Sequence, residues 1–225
     1  MHTEIFNSGQ VGLLPFIKGF QRSFYMVGGT AIALHLGHRR SIDFDLFTFT
    51  QLNKSRIKRK LIQSPFKQIP IFEDFDQLHL IVNNVKLTFF SYPYSVLHPV
   101  KVGSYITIPT LLSLAAMKAY ALGRRAKWKD YVDIYFILRD YYTIQEICSE
   151  AEKIFNQQFS EKLFREQLAF HKDIDYSEPV EYLVQPVPDD EIKNFLIDKA
   201  TDIWDDGLKG SPTGGGDKAA KHQGE

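Results

Sequence analysis

Two aspartates stand two residues apart in the run Arg39-Arg40-Ser41-Ile42-Asp43-Phe44-Asp45-Leu46-Phe47. The alternation of apolar and polar residues predicts a strand over 41–48, along which side chains point to opposite faces in turn. Asp43 and Asp45 then share one face, while Ile42, Phe44 and Leu46 turn into the core. Neighbouring carboxylates repel each other, and a hard divalent cation such as Mg²⁺ (or Mn²⁺) between them relieves the repulsion. Just upstream, the apolar run Phe24 to Val27 ends in Gly28-Gly29-Thr30, and a helical segment from Ala31 to Leu36 follows. Paired glycines let the backbone turn sharply and come close to a ligand. Their N–H groups, with the N-terminus of the next helix, suit an anion. Phosphates on that turn, bridged by metal to the two aspartates, describe a nucleoside triphosphate (NTP) site. Taken singly, a Gly-Gly turn is more often structural and an Asp-x-Asp strand more often merely solvated. Their order gives the signal, with thirteen residues between Gly29 and Asp43.

A second constellation lies downstream. Lys118 comes late in the apolar, alanine-rich stretch Leu114-Ala115-Ala116-Met117, and Asp133 is surrounded by Tyr131, Val132, Ile134, Tyr135 and Phe136. A carboxylate in such company is costly to bury without a partner. Two readings stay open. Lys118 and Asp133 form a buried structural ion pair between two helices, or Lys118 binds a triphosphate oxygen while Asp133 orients it or assists an attacking hydroxyl.

The elements that must position these groups can be read from periodicity. A helix is expected over 9–20, with Val11, Leu13, Leu14, Phe16, Ile17 and Phe20 on its buried side. Gly37 is the expected left-handed residue closing the helix before the Asp-x-Asp strand. A basic surface helix is expected over 54–61, and strands over 68–72, 77–82 and 85–90, with Asn83-Asn84 as a tight hairpin turn. Beyond Pro109 the pattern turns helical, over 110–123, 127–141, 144–156, 161–170 and 189–205. An α+β fold follows, a mixed β-sheet flanked by helices and then a helical C-terminal half. The expected division is an α/β core over 1–105, a helical region over 106–206 completing a cleft, and a disordered Gly-rich tail over 207–225.

Composition bounds the function. The 225 residues carry 27 basic and 27 acidic side chains, which excludes a uniformly basic coat protein. The balance hides a split: residues 1–139 hold 18 basic against 8 acidic residues, and residues 140–206 hold 6 against 17. Such asymmetry suggests a polyanion-facing front and an acidic body. Arg39, Arg40, Arg124, Lys127 and Lys129 are candidate RNA contacts, although ordinary solvated helices would look the same. The lone Cys148 cannot form an intramolecular disulfide, and no apolar run approaches the ~20 residues of a membrane span. Residues 1–8 do not look like a signal peptide. A cytoplasmic protein with no membrane partner is the expectation. No Gly-x-x-x-x-Gly-Lys-Ser/Thr is present, so a P-loop ATPase is disfavoured, and no Gly-x-Gly-x-x-Gly follows a strand.

The segments Val27-Gly28-Gly29-Thr30-Ala31, Arg39 through Phe47, and Leu114 … Lys118 … Arg124 … Lys129-Asp130 … Asp133 resemble the AbiEii/AbiGii toxin family of nucleotidyltransferases, within the DNA polymerase beta-like superfamily. The resemblance covers roughly residues 16–138. It implies a nucleotidyltransferase-type sheet and the transfer of a nucleoside monophosphate from an NTP, with Mg²⁺, to an acceptor hydroxyl. Members are often the toxin of a bacterial toxin–antitoxin or abortive-infection pair, and some related toxins modify the acceptor end of tRNA. The implied partners are therefore an NTP, an RNA such as tRNA, and a cognate antitoxin. Gly28, Gly29 and Thr30 match the phosphate-contacting turn and Ser41 a triphosphate contact. Asp43 and Asp45 match the metal ligands, Lys118 a phosphate-binding lysine, and Asp133 a downstream catalytic acid. One position departs from the pattern: Thr88 stands on the later strand where many superfamily members carry a third carboxylate. That keeps open a catalytically degenerate binding protein, or a transferase acting on a small molecule or a protein.

Overall fold

The computed structural model of the chain describes residues 1–202. Its first helix, α1 (Ser8–Lys18), is fixed at its N-terminus by a reciprocal cap. The Asn7 side chain accepts from the Gln10 backbone N–H, and the Gln10 side chain accepts from that of Asn7, so two otherwise orphaned donors are satisfied. Leu13, Leu14 and Ile17 face the core, whereas Val11, expected on that side, is exposed. Gln10 itself is fully buried, and its Nε2 donates to the Ser41 carbonyl at 2.9 Å. The first helix thereby pins the chain just before the Asp-x-Asp segment.

Strand β1 (Tyr25–Val27) leads directly into α2 (Gly28–Leu36), three residues earlier than the sequence pattern suggested. Gly37 ends α2 at φ +67°, its N–H returning to the Ala33 carbonyl, as a left-handed cap requires. Strand β2 (Phe44–Thr48) is shorter than expected. Because β2 starts only at Phe44, Ile42 lies outside it and is exposed, while Phe44 and Leu46 are fully buried. Helix α3 (Lys54–Ile62) carries its basic residues outward and buries Ile57 and Leu61.

Strands β3 (Gln68–Asp74), β4 (Gln77–Val82) and β5 (Val85–Ser91) complete a five-stranded sheet of order β1-β2-β5-β4-β3. Only the β2–β5 pair is parallel. Asn83 and Asn84 both have positive φ, +51° and +62°, the geometry a two-residue turn needs to match strand twist. Strand β3 lies at the sheet edge, where its Pro70 costs no ladder bond, and its register shifts between Pro70 and Phe72.

A small hairpin, β6 (Val100–Val102) and β7 (Ile106–Ile108), follows. The sequence reading missed it, because three-residue strands leave too little alternation to detect. It straddles the expected boundary at 105/106. Among the described residues five α-helices come next: α4 (Leu111–Leu122), α5 (Trp128–Asp140), α6 (Ile144–Phe155), α7 (Glu161–Ala169) and α8 (Asp189–Thr201). Thr110, Thr143 and Ser160 cap α4, α6 and α7 through their hydroxyls. The end of the expected last helix and the Gly-rich 207–225 segment lie outside the described residues.

One continuous apolar core runs from α1 and the sheet through α4, α5, α6 and α8. The segment 173–183 straps the two halves together. Asp175 exchanges backbone bonds with Ala126 and Trp128, and Arg40 N–H donates to the Glu181 carbonyl at 2.8 Å while Leu183 N–H donates to that of His38 at 2.9 Å. Among the described residues no helix is long and apolar enough to cross a membrane.

Candidate active site

The β1–α2 turn and β2 meet at one point. Val27 pairs with Asp45 across the β1–β2 ladder, so Gly28 follows directly beside that carboxylate. Gly28 has φ +75°, and a Cβ there would overlap Asp45 Oδ2. Both the backbone conformation and the space demand glycine. At Gly29 the constraint is steric only. A Cβ would lie 2.7 Å from Arg39 Nη2 and 3.1 Å from Ser41 Oγ.

Thr30 and Ser41 hold the turn against the strand. The Thr30 hydroxyl, buried, donates to the Asp43 carbonyl at 2.5 Å and lies 3.0 Å from Ser41 Oγ. Thr30 therefore braces the site from within, and its burial is at odds with a direct nucleotide contact by its side chain. Ser41 stays half-exposed beside the turn.

Asp43 and Asp45 are both half-buried. Among the described residues neither carboxylate has a hydrogen-bond or ion-pair partner. Burial, then the neighbouring Asp45 charge, raises the Asp43 pKa above its ordinary value, with Lys86 and Lys129 opposing from a distance. Two uncompensated carboxylates in a partly desolvated place fit a divalent cation. Among the described residues no third His, Cys, Asp or Glu converges with them, so the remaining ligands of such an ion would be water and substrate phosphate oxygens, a common arrangement for Mg²⁺.

Behind the glycine turn lies a buried ionic network. Asp133, fully buried on α5, accepts from Arg39 Nε at 2.7 Å and Arg39 Nη2 at 2.8 Å. His38 Nε2 lies 2.8 Å from the same carboxylate, and Lys118 Nζ 3.0 Å from it. Lys118 also donates to Asp130 at 2.7 Å, and Asp130 is held on its far side by Arg125 at 3.0 Å. Burial alone would raise the Asp133 pKa. Arg39, Lys118 and His38 outweigh it and hold the carboxyl well below the usual range. Burial lowers the His38 pKa despite Asp133, so the neutral ring donates through Nε2, and its Nδ1 has no partner among the described residues.

The structure thus brings Lys118 and Asp133 together and turns both away from solvent, Lys118 being 5% exposed and Asp133 0%. Lys118 reaches the glycine turn only through Asp133 and Arg39. Arg39, expected as an RNA contact, is 2% exposed and clamped to Asp133, so it cannot touch RNA in this conformation. The other expected contacts are engaged within the chain. Arg40 pairs with Glu181, Lys127 and Lys129 with Glu178, and Arg124 stacks on Tyr120 with its guanidinium carbon 3.7 Å from the ring centre. Sequence reasoning missed Arg39, His38 and Asp130 as members of the network. Only Asp130 left a signal, three residues before Asp133 on the same helix face.

Solved structures of similar fold include MenT4, a nucleotidyltransferase toxin from Mycobacterium tuberculosis H37Rv. It superposes with a TM-score of 0.57 at 14% identity, over 88% of this chain and 84% of that one. JHP933 from Helicobacter pylori superposes with a TM-score of 0.52 at 15% identity, over 88% and 90%. The class is a nucleotidyltransferase-type α+β fold. The family model for the nucleotidyl transferase AbiEii toxin of type IV toxin–antitoxin systems matches residues 64–213, and the chain belongs to that family. An uncharacterised protein of Aquifex aeolicus (strain VF5) is 34% identical over 125 residues, 54% of this chain and 60% of that relative's length.

Removing one member of a buried pair leaves the other uncompensated and costs about 3–5 kcal/mol. Asp133→Asn is expected to lower unfolding stability by about that amount at pH 7, measured by urea denaturation. The sign follows from the lowered pKa. The contribution is complete above the ordinary aspartate pKa of about 4 and fades only as pH falls through the lower folded-state value. The wild-type and Asn curves should therefore converge only in strong acid.

Proposed function

We propose that this chain is a divalent-metal-dependent nucleotidyltransferase that moves a nucleoside monophosphate from an NTP to an acceptor hydroxyl. It would act as the toxin of a toxin–antitoxin pair in the cytoplasm, with an RNA such as tRNA as acceptor and a cognate antitoxin as partner. One observation carries the reading. Asp43 and Asp45, without a partner among the described residues, stand at a glycine turn where the Asp45 carboxylate lies so close to Gly28 that a Cβ would overlap it. Family membership supports the same activity.

In this reading Asp43 and Asp45 hold Mg²⁺ or Mn²⁺, which when bound neutralises phosphate charge and lowers the pKa of the attacking hydroxyl. The N–H groups at Gly28 and Gly29, at the start of α2, receive phosphate oxygens. Ser41, half-exposed beside them, offers a hydroxyl to the same oxygens. Lys118 and Asp133 work as positioning residues: they fix the Arg39 fork, and the fork packs against Gly29. Catalysis by such a site comes mainly from positioning and electrostatics. Salt-dependent binding would identify RNA as acceptor, and a salt-insensitive acceptor would point to a small molecule or a protein hydroxyl.

Thr88 favours a second reading, a degenerate fold that binds nucleotide without transfer. It pairs with Asp45 across the β2–β5 ladder and supplies a hydroxyl where a third carboxylate could act.

The two readings separate in a labelling assay with the four α-labelled NTPs, Mg²⁺ and total RNA. Asp43→Asn and Asp45→Asn are each expected to lose more than the roughly 10–100-fold that changes around a metal ligand cost, with an unchanged circular-dichroism spectrum. Binding of NTP without any transfer by the wild-type chain would favour the degenerate fold. A pH series adds a second check. Because the Asp43 pKa is raised, Mn²⁺ affinity should start to fall at a higher pH than for an ordinary aspartate, and Asp43→Asn should flatten that dependence.

A further inference from the structure

The register of the sheet places one more titratable side chain beside the candidate site. Asp45 on β2 pairs with Thr88 on β5, and Thr88 in turn pairs with His79 on β4. Directly paired residues share a sheet face, so the three side chains form one row, with His79 two strand spacings, about 10 Å, from Asp45. The ring is half-buried. It packs edge-on against Phe72 at 5.5 Å, and its Nε2 lies 3.0 Å from Gln77 Oε1. With Nε2–H donating to Gln77, the lone pair sits on Nδ1, which has no partner among the described residues.

We propose that His79 is a catalytic residue, the general base whose Nδ1 takes the proton of the acceptor hydroxyl above Thr88, where the sheet has no third carboxylate. The proposal rests on the transferase reading. As the acceptor oxygen bonds to the α-phosphorus, its proton passes to His79 Nδ1. The bond from the α-phosphorus to the bridging oxygen breaks, and pyrophosphate leaves with that electron pair.

The surroundings suit a base. The charged groups that face the ring are Lys86 on β5 and Asp45 on β2, while β3 presents Phe72. Burial and then Lys86 lower the ring's pKa, with Asp45 opposing, so the imidazole is neutral and able to accept a proton at neutral pH. The Gln77 bond fixes both the tautomer and the plane of the ring, as an orienting partner does for a catalytic histidine.

The test has two arms on the full chain. In the first, ¹⁵N-histidine NMR, with the His79 signals assigned by their loss in His79→Gln, reads tautomer and titration. The proposal expects the Nε2–H tautomer and a midpoint below the ordinary histidine value of about 6.5; an Nδ1–H tautomer overturns it. In the second, transfer from α-labelled NTPs to total RNA is followed between pH 5 and pH 9. His79→Gln should slow transfer by roughly 10²–10⁴-fold and remove the acidic limb of the wild-type profile, with NTP binding unchanged. Added imidazole should restore part of the rate to His79→Ala. Transfer by His79→Gln at the wild-type rate, or with the wild-type acidic limb intact, overturns the proposal. If Asp43→Asn and Asp45→Asn transfer like wild type, the transferase site itself has been misplaced. If the wild-type chain labels no RNA, the RNA-acceptor reading fails, and the NMR arm decides the proposal.

Discussion

The two-point clamp of Arg39 on the buried Asp133 carboxylate is the interaction on which the rest depends. It joins the loop after α2 to the middle of α5 across 94 positions of sequence. A guanidinium fork matches a carboxylate at two points, and so fixes orientation as well as distance. The same guanidinium packs against Gly29, leaving no room for a side chain. The helical half therefore sets the shape of the turn that faces the aspartate pair. Lys118 and Asp130 complete the charge balance and His38 adds a neutral donor, which makes the arrangement tolerable at such burial.

Around the clamp, the site is organised by what is withheld as much as by what is supplied. Every basic group near α5 meets a partner within the chain: Lys118 and Arg125 meet Asp130, and Lys127 and Lys129 meet Glu178. Among the described residues Asp43 and Asp45 are left without one, although Lys86 and Lys129 are near enough to influence Asp43. Two half-buried carboxylates held side by side without a partner among the described residues store unfavourable electrostatics at one place. A cation relieves it. The front half's excess of basic residues looked like a polyanion surface, yet much of that charge is consumed by ion pairs and by stacking on Tyr120.

What was legible in the sequence was local. The Gly-Gly turn, the Asp-x-Asp pair, the Gly37 cap and the Asn83-Asn84 turn each announce themselves within a few residues, because backbone geometry restricts residue type there. The mixed α+β class followed from the same periodicities. Lys118 was legible as a partner of Asp133, but the two-point partner, Arg39, was not. Arg39 was expected as an RNA contact, and nothing nearby in sequence marks its pairing with a residue 94 positions away. His79 was invisible for a related reason: only the β4–β5–β2 register brings it into line with Asp45. Ile42 was misplaced because the strand begins at Phe44, after a segment held by Gln10 and Thr30 instead of by ladder bonds.

The central claim is that Asp43 and Asp45 together hold a divalent cation against the glycine turn. Mn²⁺ relaxation broadening tests it most directly, in the 225-residue chain with a non-transferable NTP analogue. Broadening centred on the amides of Val27, Gly28, Asp45 and Thr88, and abolished by Asp43→Asn with Asp45→Asn, is the predicted result. Broadening centred elsewhere, such as the Asp173–Asp175 segment, or unchanged in the double variant, would contradict the account.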